Sequence, residues 1–445
     1  MPSRTALILL VALALRLPGL FTDFWIDEIR AVTNVQGLAS PLGIFTEIHH
    51  DSNHWLFSLW TWALGPHAPF WLYRLPSLAA GILLVPVVGR LARLHGASSA
   101  LAMAFTAVSF PLALYSTEAR GYALAALAST TALVSLVSWF EQRRVAWLMA
   151  FAAVGSLGVL AHLSFAVVLA AAGLYALVLA ASGRVTWFAA LAPFAAPSAT
   201  LALLALVDLR YLELGGGPPL QPLPFVSEAT AMAIGGALGQ GIAPLLGIAA
   251  VLMIGCSLLR LFGDARERFA AAPVRAMLPV FYVAVVAIPV LLVLVFKPPF
   301  FFSRYFLVSI VFVPVLLASG LQDTAARARK GLTATLVVLN VASLVSFWSA
   351  GRGHYQQALL EMARTSSSDP ITVGSKHDLR TPVILDFHRD RLGGTVSRLT
   401  YVYQGGEFWI GDSAADVCEG CTLWRVYPSS PISGATWAVF RRTGG

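Results

Sequence analysis

Two neighbouring carboxylates, Asp27 and Glu28, follow the first apolar stretch of this sequence in the string FWIDEIRA. Carboxylates beside a bilayer are costly unless they are hydrated or paired, so such groups often serve a function. In a partly dehydrated cleft, the pKa of a carboxylate can rise towards that of a general base. The alternative is an interfacial helix that begins at Asp23 and leaves both carboxylates solvated. These residues alone favour neither interpretation.

A second polar cluster, HHDSNHW, contains three histidines and an aspartate within six residues. If this segment were helical, Asp51 and His54 would share a helix face and could bind a divalent metal. Aspartate is also a good helix N-cap, and an apolar aromatic run follows it. We favour capping, or hydrogen bonding to an acceptor, over a metal. We therefore assign no cofactor, and a divalent metal at Asp51 and His54 is the alternative.

Cationic residues stand out in two further strings, STEARGY and KPPFFFSRYF. Glu118 in the first string is explained by the macrodipole of the helix that follows, and snorkelling explains Lys297 or Arg304 alone. A guanidinium such as that of Arg120, however, is well shaped for bidentate contact with phosphate oxygens. Together, Arg120, Lys297 and Arg304 predict a cationic seat for a lipid phosphate, above an aromatic wall suited to an acyl or prenyl chain.

The surrounding chain has the composition of a membrane protein. Of its 445 residues, 58% are hydrophobic and 12% are charged, whereas about a quarter are charged in an ordinary soluble domain. This composition excludes a soluble globule and a disordered chain. The net charge of +8 is spread over short loops, which argues against binding of nucleic acid. Apolar runs of about 20 residues predict eleven transmembrane helices, at roughly 5–21, 74–91, 98–115, 122–140, 146–162, 165–181, 187–207, 242–260, 277–296, 305–321 and 332–348.

Alternate loops differ in their positive charge. One set carries thirteen Lys and Arg residues and the opposite set carries seven, which predicts a cytoplasmic N-terminus and an extracytoplasmic C-terminus in the plasma (inner) membrane. All four clusters then lie on the outer side. We predict a transmembrane domain at 1–348 with outer loops at 22–73 and 208–241. The rest, 349–445, is predicted to be a small extracytoplasmic α/β domain with a helix at 355–365 and strands at 371–373, 382–386, 399–403, 422–426 and 437–440.

The C-terminal domain carries its own candidates for chemistry. Cys418 and Cys421 are spaced C-x-x-C. In an oxidising compartment, a local disulfide is a simpler prediction than a zinc or redox site. Several polar side chains could touch an acceptor, although surface charge explains them more simply: Lys376, His377, Asp378, Asp386 and His388.

With these motifs identified, the sequence resembles the integral-membrane glycosyltransferases of the GT-C fold, in the family 39-like group of protein O-mannosyltransferases and aminoarabinose lipid A transferases. The resemblance is carried by WIDE at 25–28 and by the segments 51–59, 73–96, 111–124 and 303–321. It implies a GT-C-like α-helical polytopic membrane protein with a small C-terminal α/β domain. It also implies a donor in which a sugar is linked to a polyprenyl phosphate.

The resemblance further implies roles for individual residues. Asp27 corresponds to the catalytic base, Glu28 to its neighbour, and Asp51 to a second acidic position of the family. The His-Pro-Pro that usually follows this second position is replaced here by Asn53, His54 and Trp55, in a segment that helps to shape the acceptor pocket. The implied substrate-binding residues are His54, Glu118, Arg120, Tyr122, Lys297, Arg304 and Tyr305.

These residue types favour an inverting glycosyltransferase that moves a hexose or pentose to an acceptor hydroxyl on a protein, lipid or glycan. The segment GGGPP at 215–219 lacks the Lys-Ser/Thr ending of a nucleotide-phosphate loop. The alternative is a transporter or flippase for lipid-linked sugars, which would use the same cations and aromatic groove without a base. An assembly protein that recruits partners through its tail is a weaker alternative.

Overall fold

A computed structural model describes residues 3–443, apart from 214, 217–220, 236–238, 269–271, 299–300, 323 and 431; the side chains of 222–224, 226–227, 239–244, 246–247 and 264–268 are not described either. Residues 217–219 of GGGPP and 299–300 of the KPPFFFSRYF string therefore lie outside the described residues.

Contacts divide the chain into two compact units. The first unit contains Met1–Leu17, Leu38–Trp60 and Arg74–Leu344, and the second contains Pro18–Gly37, Thr61–Tyr73 and Val345–Gly445. This division differs from a single boundary at residue 348, because two segments of the first outer loop group with the C-terminal residues.

Apolar helices build the first unit. Its segments contain Arg4–Ala14, Gly43–Thr46, Leu75–Leu94, Ser99–Val108, Phe110–Tyr115, Tyr122–Gln142, Val145–Ala161, Phe165–Ala181, Trp187–Leu191, Ala195–Val207, Pro222–Ala233, Gly239–Arg268, Pro273–Ala276, Leu278–Phe296, Leu307–Ile310 and Val313–Gly320. Two further helices, Trp55–Leu64 and Ala326–Ala350, begin in segments of the first unit and end in segments of the second.

Each of the eleven predicted spans coincides with apolar helix, but the count of eleven membrane crossings is not confirmed. Among the described residues, six helices are long and apolar enough to cross a bilayer, or seven if the bent pair Ser303–Ile310 and Val313–Gly320 is one span. The chain is thus a multi-pass membrane protein. The remaining predicted spans match apolar helices of 10–17 residues: Ser99–Val108, Val145–Ala161, Phe165–Ala181 and Ile248–Gly263.

Prolines explain two of the interrupted spans. Pro111 and Pro314 each lie in the first turn of a new helix, where the missing N–H costs nothing but the preceding helix cannot continue unbroken. The hydropathy of the sequence shows an apolar run through both positions, but it does not show that the helix is broken there.

Asn340 joins three segments at one of these breaks. Its side-chain oxygen accepts a hydrogen bond from the backbone N–H of Phe110 at 2.7 Å, and its side-chain nitrogen donates to the carbonyls of Leu336 at 2.8 Å and Ile234 at 2.9 Å. A Cβ on Gly235, which has φ +89°, would lie 2.0 Å from Asn340 Oδ1. Both the backbone conformation and the available space therefore require glycine at this position.

Replacing Asn340 with leucine is expected to lower the free energy of unfolding by about 1–3 kcal/mol, because the Phe110 amide and the Ile234 carbonyl lose a buried partner. The thermal unfolding midpoint of the detergent-solubilised protein measures this loss. Ser349→Ala, at an exposed position of the same helix, should change stability by less than about 0.5 kcal/mol. Equal shifts in the two variants would contradict the role of Asn340.

The second unit combines helices with a five-stranded sheet. The strand order is Leu399–Tyr401, Ile371–Ser375, Phe408–Gly411, Trp437–Arg442 and Cys421–Tyr427. The first three strands run parallel, and the last two pair antiparallel to their neighbours. Its helices include Ile26–Thr33, Phe70–Tyr73, Tyr355–Thr365 and Arg380–Leu392. The C-terminal residues therefore form the predicted α/β structure, and Cys418 and Cys421 form the predicted disulfide.

One predicted strand of this unit is wrong, and one strand was not predicted. Residues 382–386 lie in the helix Arg380–Leu392. The apolar residues at 383–385 suggested a strand, but the buried positions follow the helical period and comprise Thr381, Ile384, Leu385, Phe387 and His388. The missed strand, Phe408–Gly411, is only four residues long.

Candidate functional site

The loop that carries Asp51 is held in place within the first unit. The Glu213 N–H donates to the His49 carbonyl at 2.6 Å, and the Asp51 N–H donates to the Glu213 carbonyl at 3.1 Å. The buried carboxylate of Asp208 lies 2.8 Å from His49 Nδ1 and accepts a hydrogen bond from the Trp55 indole at 2.5 Å. Asp208 therefore fixes both ends of the segment from His49 to Trp55.

Asp51 itself does not cap a helix. The helix begins at Trp55, so Asp51 and His54 lie in the preceding loop, and neither the predicted N-cap nor the shared helix face is present. Burial raises the pKa of Asp51, but the hydrogen bond and charge of His50 and the backbone amide of Gly215 outweigh burial and leave this pKa below its usual value. Asp51 is therefore a persistent carboxylate anion and a weak base.

Four aromatic side chains pack together beside this loop. The rings of His54 and His162 stack with centroids 4.6 Å apart. Tyr122 lies 5.7 Å from His54 and 4.3 Å from His162, and Tyr305 lies 6.1 Å from His162. We call His54, Tyr122, His162 and Tyr305 the aromatic cluster. Nδ1 of His162 accepts a hydrogen bond from the Ser164 N–H at 3.1 Å, while His54 Nε2 is buried and has no hydrogen-bond partner in the described part of the chain.

Two guanidinium groups lie against the aromatic cluster. Cζ of Arg120, a residue only 4% exposed, is 4.9 Å from the ring centroid of Tyr122. Cζ of Arg304 is 5.9 Å from the ring centroid of Tyr305 and 3.9 Å from that of Phe302. Both arginines therefore contact the cluster through the faces of its rings, a favourable position for a cation.

The local backbone explains how Arg120 reaches this position. A Cβ on Gly121 would lie 1.8 Å from the carbonyl oxygen of Ala161, so only glycine permits so close an approach of the two backbone segments. His162 follows Ala161 directly, and Arg120 and Tyr122 flank Gly121. This single close contact thus brings the arginine and the tyrosine to the histidine.

The electrostatics keep both imidazoles neutral. Burial lowers the pKa of His162 to about 3, and the charges of Arg120 and Arg304 act in the same direction. Burial also lowers the pKa of His54 far below its ordinary value, with further contributions from His162 and the two arginines. The positive charge of this site therefore belongs to Arg120 and Arg304, while the histidines are neutral hydrogen-bonding groups.

The structure brings together six of the predicted site residues in the first unit: Asp51, His54, Arg120, Tyr122, Arg304 and Tyr305. Glu118 is fully buried in the same unit. Lys297, with φ +44°, is exposed at the end of the helix Leu278–Phe296. The sequence did not identify His162 and Asp208 as part of this site, although each is a polar residue directly after an apolar helix.

The two carboxylates of the WIDE motif lie in the second unit, in the first turn of the helix Ile26–Thr33. Glu28 is fully buried, and its Oε2 is 3.9 Å from Nε of Arg352, which is also fully buried. Arg352 in turn donates to the Gly19 carbonyl at 3.0 Å and to Thr22 Oγ1 at 2.8 Å. Asp27 is only half-buried. Glu28 therefore has a buried partner, and Asp27 is the partly exposed carboxylate of the motif.

No group of three or more His, Cys, Asp and Glu side chains in the described part of the chain is arranged to hold a metal ion. Asp51 and His54, the two residues considered for a metal, lie in the same loop, and Asp51 is already paired with His50 at 2.9 Å. Within the described residues, Asp51 and His54 are not part of any group of three side chains that could hold a metal ion.

Acid should destabilise the protein through His162. Because its pKa is about 3 in the folded protein and its ordinary value is 6.5, protons bind first to the unfolded chain as the pH falls. The free energy of unfolding should therefore drop between about pH 6.5 and 3, by at most about 1.4 kcal/mol per pH unit. His162→Asn, which keeps an acceptor for the Ser164 N–H, should reduce this slope in thermal unfolding measured across pH. His67→Asn, at an exposed position, serves as the control, and identical acid profiles for wild type and His162→Asn would refute the assignment.

The fold is similar to that of two crystal structures of ArnT from Cupriavidus metallidurans. The apo structure has a TM-score of 0.55 at 14% identity, over 90% of this chain and 86% of that chain. The structure bound to undecaprenyl phosphate has a TM-score of 0.52 at 13% identity, over 98% and 97% of the two chains. An oligosaccharyltransferase from Archaeoglobus fulgidus has a TM-score of 0.47 at 10% identity, over 90% of this chain and 64% of that one. No family model and no curated protein sequence matches the chain. The chain thus has the GT-C fold that the sequence resemblance implied.

Proposed function

We propose that this protein is a membrane glycosyltransferase that moves a hexosyl or pentosyl group from a polyprenyl-phosphate donor to an acceptor hydroxyl on the extracytoplasmic side of the membrane. The observation that carries the proposal is the pair of guanidinium groups, Arg120 and Arg304, beside neutral His54 and His162 in the first unit. The ArnT structure with undecaprenyl phosphate supports a donor of the same lipid class.

The arrangement suits a phosphate that becomes a leaving group. In a site that excludes water, a guanidinium interacts far more strongly with an anion than it does in water. Negative charge grows on the phosphate as its bond to the sugar breaks, so Arg120 and Arg304 stabilise the transition state more than the ground state. His54 is neutral, so its Nε2 can donate a hydrogen bond to a phosphate or sugar oxygen in the appropriate tautomer.

The proposed reaction is a direct displacement. Asp27 takes the proton of the acceptor hydroxyl, and the acceptor oxygen attacks the anomeric carbon. The bond from this carbon to the phosphate oxygen breaks, and the polyprenyl phosphate leaves with the bonding electrons. A single displacement inverts the anomeric configuration. We assign the base to Asp27 because the pKa of Asp51 is held low and Glu28 is paired with Arg352.

Asp27→Asn tests the base. We expect kcat for sugar transfer to fall by about 10²–10⁴-fold, the usual contribution of general base catalysis, with the Kd for the lipid donor almost unchanged. Purified protein in nanodiscs with a radiolabelled polyprenyl-phosphate sugar gives both quantities. Glu47→Gln, an exposed carboxylate of the first unit, is the matched control. Lipid-sugar translocation that survives in Asp27→Asn, with no transfer by the wild type, would instead identify a transporter.

The two arginines are tested separately from the base. Arg120→Ala and Arg304→Ala should each lower kcat by about 10²–10³-fold, because the phosphate loses a preorganised donor. The lysine variants should recover only part of this loss, since an ammonium keeps the charge but cannot form the bidentate contact. Arg210→Ala, exposed in the same unit, should leave transfer unchanged. Full activity in either alanine variant would rule out the phosphate site.

A further inference from the structure

The second unit contains a cavity that the proposed chemistry does not use. Its volume is about 560 Å³, within the range of about 300–1,000 Å³ that is typical of small-molecule sites. It is lined by two aromatic side chains, Phe21 and Trp348, and by polar groups that include Asp23, Gln357 and Arg364. All of these residues belong to the second unit.

The aromatic residues provide flat apolar surface in an otherwise polar cavity. Phe21 is 71% exposed, and Trp348 is half-buried. Such rings pack well against the C–H face of a pyranose, while the rim of the sugar carries hydroxyl groups that need hydrogen bonds. A purely apolar ligand would leave the polar wall of the cavity without partners.

The polar wall presents side chains in fixed positions. Asp23 Oδ2 accepts a hydrogen bond from the Gln356 N–H at 2.9 Å. The Gln357 side chain donates to Glu361 Oε1 at 2.8 Å, and Glu361 Oε2 accepts from Arg425 at 2.6 Å and from Tyr427 at 2.7 Å. These hydrogen bonds hold the carboxylates and the amide in place, and hydroxyl groups, which both donate and accept, can pair with either kind of group.

The charge of the cavity favours a neutral ligand over a phosphate. Its lining includes two carboxylates, Asp23 and Glu361, against one guanidinium, Arg364, and one imidazole, His354. With no excess of positive charge, the lining does not attract an anion.

The cavity is connected to the WIDE motif by a buried side chain. Gly351 and Gly353 line the cavity, and Arg352 between them pairs with Glu28 at 3.9 Å. Arg352 also donates to Thr22, another lining residue. The cavity wall and the helix that carries Asp27 are thus held by one guanidinium.

We propose that this cavity binds a saccharide, and that this saccharide is part of the acceptor. The inference rests on the proposed function for its role as an acceptor, but saccharide binding itself can be measured without any donor. A lipid-anchored sugar and a free glycan share the required chemistry, and the experiment separates them.

The test uses the full-length protein in nanodiscs without donor. Isothermal titration with methyl α-mannoside, maltose and lactose is expected to detect at least one sugar with a Kd below about 10 mM. A second arm uses nanodiscs that contain glucosyl-diacylglycerol or galactosyl-diacylglycerol, read by saturation-transfer NMR on the sugar protons. Binding only in the second arm identifies a lipid-anchored acceptor, and binding in the first identifies a free glycan. Inorganic phosphate should not compete in either arm.

Trp348→Ala should weaken saccharide binding at least tenfold, and Gln357→Ala should weaken it severalfold while the far-UV circular dichroism stays unchanged. Trp71→Ala is the matched control, because Trp71 is a tryptophan of the same unit, is 42% exposed and is not part of the cavity lining. The proposal is overturned if no saccharide binds in either arm, or if the Trp348 and Trp71 variants bind equally. Saccharide binding in a protein that transfers no sugar would leave the cavity assignment standing and remove the proposed enzyme function.

Discussion

The structure depends on how a largely apolar membrane protein stabilises arginine side chains that are shielded from water. Transfer of an ion into such an environment costs several kcal/mol even after relaxation, so a guanidinium that is wholly or partly buried has to be compensated. Arg120 and Arg304 lie against the faces of aromatic rings, and the neighbouring His54 and His162 stay neutral. Had these imidazoles been protonated, their repulsion would have opposed the guanidinium charges. Their neutrality leaves Arg120 and Arg304 as the cationic groups of this site, with the Asp51 carboxylate as a nearby anion.

Arg16 and Arg352 are fully buried, and both show how this protein uses a guanidinium to stabilise its structure. Arg16 donates to the carbonyls of Ala12 and Ala107, each at 2.9 Å. Arg352 donates to Gly19 and Thr22 and lies 3.9 Å from Glu28. In both cases protein oxygens take up the charge, and the result is a fixed backbone geometry. Arg120 and Arg304 also lie against aromatic rings, with Cζ 4.9 Å from the ring centroid of Tyr122 and 3.9 Å from that of Phe302, respectively.

The sequence predicted the positions of the apolar helices because burial in lipid requires long apolar runs, and those runs are visible one residue at a time. It also singled out Arg120 and Arg304, since a guanidinium at the end of an apolar span is conspicuous, and both lie against the aromatic cluster. It could not predict helix breaks such as the one held by Asn340, or the stacking of His162 on His54, because both depend on contacts between distant segments. The same limit explains why Asp51 was expected to cap a helix that in fact begins at Trp55. Local propensity favoured a helix cap at Asp51. The hydrogen bonds that Glu213 and Asp208 make to this segment hold it as a loop instead.

The proposed donor and the proposed acceptor make different electrostatic demands on the protein. A phosphate donor carries negative charge that increases during reaction, so its site needs an excess of fixed positive charge in a medium that does not screen it. A sugar hydroxyl is neutral and has to lose a proton, and a strong positive field would make the carboxylate that accepts this proton a weaker base. In the proposed function, the first unit provides this positive charge through Arg120 and Arg304. The second provides a balanced lining and a half-buried carboxylate, Asp27, whose neighbour Glu28 neutralises Arg352. Pairing Glu28 with Arg352 therefore also anchors the helix that carries Asp27, because Arg352 donates hydrogen bonds to Gly19 and Thr22.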